Sequence, residues 1–221
     1  MSWNWELLGE TGLQFFGKMS ASISHEIKNV MAIINENAGL LEDLTVMAEK
    51  GLPIDPERLK TQASRIMKQI RRGDDILRGM NRFAHSVDDP LRQADLNDTL
   101  GLMAALSGRF ASMRGVTLEL EPSSAQVSMI TNPFFLQNLI WLCLDFAMGC
   151  SGPGKTVALK AERMENGARI RFSKLQELAT GNTGSFPEER VKALLQALNA
   201  DLLMDREHGE LHITFSSRAE G

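Results

Sequence analysis

His25 stands in the run Ser22-Ile23-Ser24-His25-Glu26-Ile27-Lys28-Asn29, where an acid follows the imidazole at once, a cation comes three residues on and an amide four residues on. A neutral imidazole is a nitrogen nucleophile able to carry a transferred group. The run lies inside a long helical pattern. At about 100° per residue, Lys18, Ala21, Ser22, Lys28, Asn29, Ala32, Glu36 and Gly39 fall within about 60° of His25 and form a small or polar stripe. Phe16, Ile23, Ile27, Val30, Ile34, Ala38 and Leu41 fall on the far side. Such a helix buries its aliphatic back and shows His25 to water, among neighbours small enough for another protein to approach. Ser22, Lys28, Ala32 and Glu36 are the expected partner-facing residues around it. His85, His208 and His212 have no comparable setting and read as ordinary surface histidines.

The elements that must position His25 begin with one long helix, from roughly Trp5 to Ala48, ended by Gly51 and Pro53. A second helix follows from Glu57 to about His85, with Leu59, Ile66, Ile70, Leu77, Met80 and Phe83 as its apolar stripe, Asp55 as N-cap and Pro56 at the first helical position. This is a helical hairpin whose apolar surface is too extended for two helices to cover, and pairing with a second copy into a four-helix bundle would cover it. Arg71 and Arg72 read as solvated helix surface.

Asp88-Asp89-Pro90 breaks the helical pattern, dividing the chain into residues 1–90 and 91–221. In the second part, Leu96 to Met113, Asn132 to Met148 and Pro187 to Ala200 are helical. Val116 to Leu120, Thr156 to Glu162, Ala168 to Phe172 and Glu210 to Phe215 read as strands, with a turn at Glu165-Asn166-Gly167. Helices alternating with largely antiparallel strands predict an α+β sandwich, one sheet covered on one face by helices.

Composition narrows the function. The net charge of −4 and pI near 5.6 supply no basic stripe for a duplex, so nucleic acid is not an expected partner. Cys143 and Cys150 lie in or beside an apolar stretch and read as reduced structural thiols, not metal ligands. The longest apolar run, Leu139 to Met148, is interrupted by Asp145 and too short to span a bilayer, and there is no basic-then-apolar leader. The expectation is a cytoplasmic chain without a membrane segment. The twelve methionines are most simply core filler, and Trp3 and Trp5 precede the main helix pattern as an exposed patch or a bundle cap.

Across nearly its whole length the chain resembles the core of bacterial two-component sensor histidine kinases. Ser24-His25-Glu26-Ile27-Lys28-Asn29 is similar to the family's phosphoacceptor box. The resemblance implies that His25 carries phosphate, that Glu26 assists by holding one ring N–H, and that Asn29 supports phosphatase chemistry by positioning water. Residues 1–90 are then the dimerisation and phosphoacceptor hairpin. Asp95-Leu96-Asn97 resembles the opening of the family's ATP-binding domain, and Phe135 to Gly149 with Gly154 to Val157 follows the outline of its asparagine-bearing helix and next strand.

The departures from that pattern fall on the nucleotide site. Trp141 and Asp145 stand where the two asparagines belong; Ser173-Lys174-Leu175-Gln176-Glu177 replaces the first glycine motif; and Gly181-Asn182-Thr183-Gly184-Ser185 is too short for a lid. Val30 replaces a proline that often follows the box and would kink the helix. Residues 91–221 are thus expected to be a degenerate ATPase-like sandwich. No cofactor is expected on this chain, with Mg²⁺ supplied by the partner. The expectation is a homodimeric histidine phosphotransferase, close to stand-alone relay proteins, serving response-regulator receiver domains and a hybrid histidine kinase as donor. Two alternatives stand beside it: a non-catalytic regulator that binds a kinase or response regulator, and a sensor kinase with an atypical ATP site.

One motif competes. Gly149-Cys150-Ser151-Gly152-Pro153-Gly154-Lys155-Thr156 satisfies a phosphate-loop pattern, with Leu202-Leu203-Met204-Asp205 as a lookalike for its acidic partner. That loop needs a strand before it and a helix after it, and the periodicity here runs the other way round.

Overall fold

A computed structural model of the 221-residue chain describes residues 5–123, 126–179 and 184–216. Two helices open it, α1 (Trp5–Glu49) and α2 (Pro56–Ala84). After a short 3₁₀ turn come β1 (Arg92–Asp95), α3 (Leu96–Arg114), β2 (Thr117–Leu120), β3 (Ser128–Thr131), α4 (Pro133–Gly149), β4 (Thr156–Met164), β5 (Gly167–Ser173), α5 (Glu189–Leu198), β6 (Ala200–Asp205) and β7 (Glu210–Ser216). The fold is α+β, a helical hairpin followed by a sheet with helices. The chain divides into two compact units, residues 20–82 and residues 5–19 with 83–216, so α1 runs through both.

In the unit of residues 20–82 the α1 seam repeats every seven residues. Ile23, Val30, Asn37 and Leu44 are buried, and Ile27, Ile34 and Leu41 are half-buried between them. Spacings of three and four keep one face turned to a partner helix. On α2 the matching positions are Leu59, Gln62, Ile66, Gln69, Gly73 and Ile76, all buried or half-buried. At Gly73 the helices are in close contact: an added Cβ would stand 3.4 Å from Val30 Cγ1. The Asp55 carboxylate accepts the Glu57 N–H at 3.0 Å, capping α2 as expected.

The unit of residues 5–19 and 83–216 is built on a mixed five-stranded sheet of order β2-β4-β5-β7-β6, in which β2 and β4 are parallel and the other pairs antiparallel. Val157, Leu159, Ala161, Ile170, Phe172, Leu211, Ile213 and Phe215 form its apolar core. The alternate positions carry charge: Arg171 reaches Glu121, Glu210 and Glu162 at 2.9, 3.0 and 3.5 Å. One face is therefore helix-covered and the other polar, as the alternation required. The helix α4 is apolar nearly all round and runs through this core. It starts at Asn132, whose side chain accepts the Phe135 N–H, with Pro133 following. An aromatic cluster of Phe15, Phe83 and Phe134, with ring centroids 5.3 to 6.3 Å apart, ties the first turns of α1 and the end of α2 to α4.

Three strands differ from the sequence expectation. β1 and β3 form a separate antiparallel pair, and β6 pairs with β7. Each is short, and Arg92-Gln93-Ala94-Asp95 has no apolar alternation to betray it.

Asn37 is a polar residue on the α1 side of the hairpin seam, as Gln62 and Gln69 are on the α2 side. Its amide N–H₂ donates to the Ile33 carbonyl, while its buried oxygen has no partner among the described residues. Replacing a buried, unsatisfied acceptor with an apolar side chain of similar size removes a desolvation penalty. Asn37→Leu should raise the unfolding free energy by about 1 kcal/mol, read from the urea midpoint; a lower midpoint would show that the amide oxygen has a partner in the assembled protein.

Candidate functional site

His25 lies mid-helix on α1, within the unit of residues 20–82, exposed to solvent. Among the described residues it makes no hydrogen bond or ion pair, and in this it differs from the other three histidines. His85 is bound to Asp88 at 2.7 Å, His208 to Asp205 at 2.8 Å and His212 to Glu210 at 2.8 Å. Each of those rings has one nitrogen tied to a carboxylate, which fixes its orientation toward that acid, whereas both nitrogens of His25 are open among the described residues.

The stripe around His25 is largely as expected: Lys28, Asn29, Ala32 and Glu36 are all exposed. Ser22 is the correction. It is 4% exposed and cannot meet a partner. The physical reason is the rotation of α1. The buried residues Phe15, Met19, Ser22, Val30, Asn37 and Leu44 centre about 100° round the helix from His25, not opposite it, so the edge of the stripe that holds Ser22 turns inward. By the same rotation Phe16 and Ala38, expected on the buried back, are exposed.

Glu26 is the second correction. Adjacent helical side chains diverge and do not face one another. The Glu26 carboxylate does not bond the His25 ring; its Oε2 accepts from Arg72 Nη2 of α2 at 2.5 Å. The two side chains are 25% and 47% exposed respectively. Arg72, expected to be idle surface, is the residue near the site that sequence reasoning missed. The signal for it was the antiparallel hairpin: with Val30 beside Gly73, the residue before Gly73 comes within reach of the turn that holds Glu26.

In the α/β unit, the positions of interest are all engaged structurally. Trp141 is buried, packs on Phe110 with ring centroids 4.7 Å apart, and has the Lys18 ammonium 5.9 Å from its ring. Asp145 is held by Arg114 through an ion pair at 2.7 Å and a bond from the same guanidinium to its carbonyl at 2.9 Å. After β5 the chain turns through Lys174 in the left-handed region and buries Leu175 and Leu178 completely. Gln176 lies across the glycines of the competing motif. Its side-chain oxygen accepts the Gly154 N–H at 3.0 Å, and a Cβ on Gly152 would meet its own Cβ at 2.9 Å. The helix α4 precedes that motif and β4 follows it, the reverse of a phosphate loop. Asp205 is likewise used locally: it accepts the N–H groups of Glu207 and His208 and pairs with the His208 ring, which holds its carboxyl below the usual range.

Gly181 to Thr183 and Trp3 lie outside the described residues; Trp5 is exposed. Among the described residues there is no group of three His, Cys, Asp or Glu side chains placed to hold a metal ion, and no helix is long and apolar enough to cross a membrane.

No protein-family model matches the sequence, and no curated protein matches it. Solved structures do resemble it in outline. The chain is similar to the histidine kinase AdeS of Acinetobacter baumannii, at 12% identity over 88% of this chain and 98% of that one, with a TM-score of 0.46. It is similar to a bacterial phosphotransferase at 15% identity, over 91% and 95% of the two chains, with a TM-score of 0.49. It is also similar to the histidine kinase ThkA, solved in complex with the response regulator TrrA, at 18% identity over 91% of this chain and 61% of that one, with a TM-score of 0.45.

The thiols fit a structural role. Burial pushes the Cys143 thiol far above its ordinary range, and Cys150 is raised by partial burial and then by the nearby Glu177 carboxylate. A raised thiol pKa leaves little thiolate at neutral pH, and thiolate is the reactive form. An alkylating reagent at neutral pH should modify native Cys150 slowly and Cys143 not measurably, and both quickly in denaturant. Fast native modification of Cys143 by intact-mass analysis would contradict its burial.

Proposed function

We propose that the chain is a histidine phosphotransferase that relays phosphoryl groups between response-regulator receiver domains through His25, without drawing on ATP. The observation that carries this is His25 itself: solvent-facing in mid-helix, unpaired among the described residues and next in sequence to an acid anchored by Arg72, while each of the other histidines is engaged by an acid. The phosphoacceptor-box pattern around it supports the same reading.

In such a relay the His25 lone pair attacks phosphorus as the aspartyl O–P bond of the receiver breaks, the electron pair leaving with the carboxylate. Phosphoryl transfer asks chiefly for in-line placement and charge compensation. The receiver brings its aspartate and Mg²⁺, Lys28 attracts the acidic receiver surface, and Asn29 positions water when hydrolysis competes. Lys28, Ala32 and Glu36 form the docking edge of α1.

The residues of the α/β unit do not fit a magnesium–nucleotide complex. Trp141 offers no metal-binding oxygen, Asp145 is tied to Arg114, and the backbone N–H at Gly154 is taken by Gln176. This unit then serves as a docking scaffold. The homodimer rests on the apolar residues that one hairpin leaves open, Met67, Ile70 and Leu77 on α2 and Met31 on α1, which a second hairpin would cover in a four-helix bundle. The buried Cys143 and half-buried Cys150, both with raised thiol pKa, fit a reducing cytoplasm and a soluble hybrid-kinase or response-regulator partner.

Incubation with a phosphorylated receiver should label the wild-type chain, leave His25→Ala unlabelled, and label Lys155→Ala as fully as wild type. Label persisting in His25→Ala would overturn the assignment. Tight receiver binding with no label in the wild type would favour a non-catalytic regulator.

A further inference from the structure

We infer that Arg72 is the positioning residue of the relay site, acting through Glu26. This rests on the phosphotransfer reading of His25 and adds a residue to it.

The placement is specific. The Glu26–Arg72 pair joins residues 46 apart in sequence and spans the two helices of the hairpin. It forms one residue from Gly73, which packs against Val30 of α1. Arg71, its neighbour on α2, and Lys28, on the same turn as His25, make no such pair among the described residues. Left to itself, Glu26 would diverge from His25 by about 100° and sample several rotamers. Arg72 removes that freedom. It takes Oε2 and leaves Oε1 without a partner among the described residues, so the carboxylate next in sequence to His25 is tied to α2.

Two consequences for transfer follow. When the His25 nitrogen bonds to phosphorus and the aspartyl oxygen departs with its electron pair, the ring keeps its other proton and becomes cationic. A carboxylate anchored on the adjacent residue stabilises that charge through space without first having to be ordered, which is where electrostatic catalysis gains most. The pair is also neutral overall. An acidic receiver pocket approaching His25 therefore meets no uncompensated negative charge at Glu26. A half-exposed pair of this kind contributes about 0–1 kcal/mol to stability, so its main effect falls on chemistry and not on folding.

The test is a double-mutant cycle on the full-length protein: Arg72→Gln, Glu26→Gln, the double variant, and Arg72→Lys, with a phosphorylated receiver as donor. Transfer rate at saturating receiver and the receiver concentration for half-maximal rate are measured separately, with thermal melts alongside. Arg72→Gln and Glu26→Gln should each slow saturated transfer about tenfold, the double variant should be no slower than Glu26→Gln alone, and Arg72→Lys should recover part of the rate. Unchanged melting with slowed transfer separates positioning from a structural role. A wild-type rate in Arg72→Gln, or losses that multiply in the double variant, would overturn the assignment while leaving the relay standing. If the wild type itself takes no label on His25, the relay fails and this assignment with it.

Discussion

The seven-residue seam between α1 and α2 sets the rotation of α1 about its own axis, and the accessibility of His25 depends on that rotation. With Ile23, Val30, Asn37 and Leu44 turned inward, His25, Lys28, Asn29, Ala32 and Glu36 are left to solvent and Ser22 is withdrawn. A shift of one residue in this register would turn every side chain by about 100° and bury the imidazole or expose the seam. The contact of Gly73 with Val30 fixes the depth of the same packing and brings Arg72 to Glu26. The exposure of His25 and the anchoring of Glu26 are thus both consequences of how two helices pack.

The α/β unit is ordered by different means. A nearly all-apolar α4 fills the centre, and the helices around it are closed by ordinary caps: Asp95 and Asn132 at helix starts, Gly115 and Asn199 in the left-handed region at helix ends. Polar groups that would otherwise be open to a ligand are consumed by the fold. Gln176 closes over Gly152 and Gly154, Arg114 holds Asp145, and Arg171 gathers three glutamates on the open face of the sheet.

Much of this was legible in the amino-acid sequence because the strong signals are local. The two long helices, the cap at Asp55, the α4 helix and strands β4, β5 and β7 follow from periodicity and turn chemistry. So does the failure of the Gly149–Thr156 motif, since helix-before and strand-after can be read from spacing. β1, β3 and β6 escaped because strands of four to six residues stabilised by pairing leave little pattern of their own. Ser22 was misplaced because a wheel drawn from one helix assumes a buried face opposite its polar centre, while the partner helix decides where burial falls. Arg72 was missed for the same reason: its significance is a contact across 46 residues, which only the pairing of the two helices points to.

The central claim is that His25 receives phosphate from a protein and not from nucleotide. It is tested most directly by ³¹P NMR of the purified chain after incubation with ATP and Mg²⁺ alone, and then with a phosphorylated receiver domain. The account predicts a phosphoramidate resonance only in the second sample, absent when His25 is replaced by alanine. A phosphoramidate resonance arising from ATP and Mg²⁺ alone would contradict it.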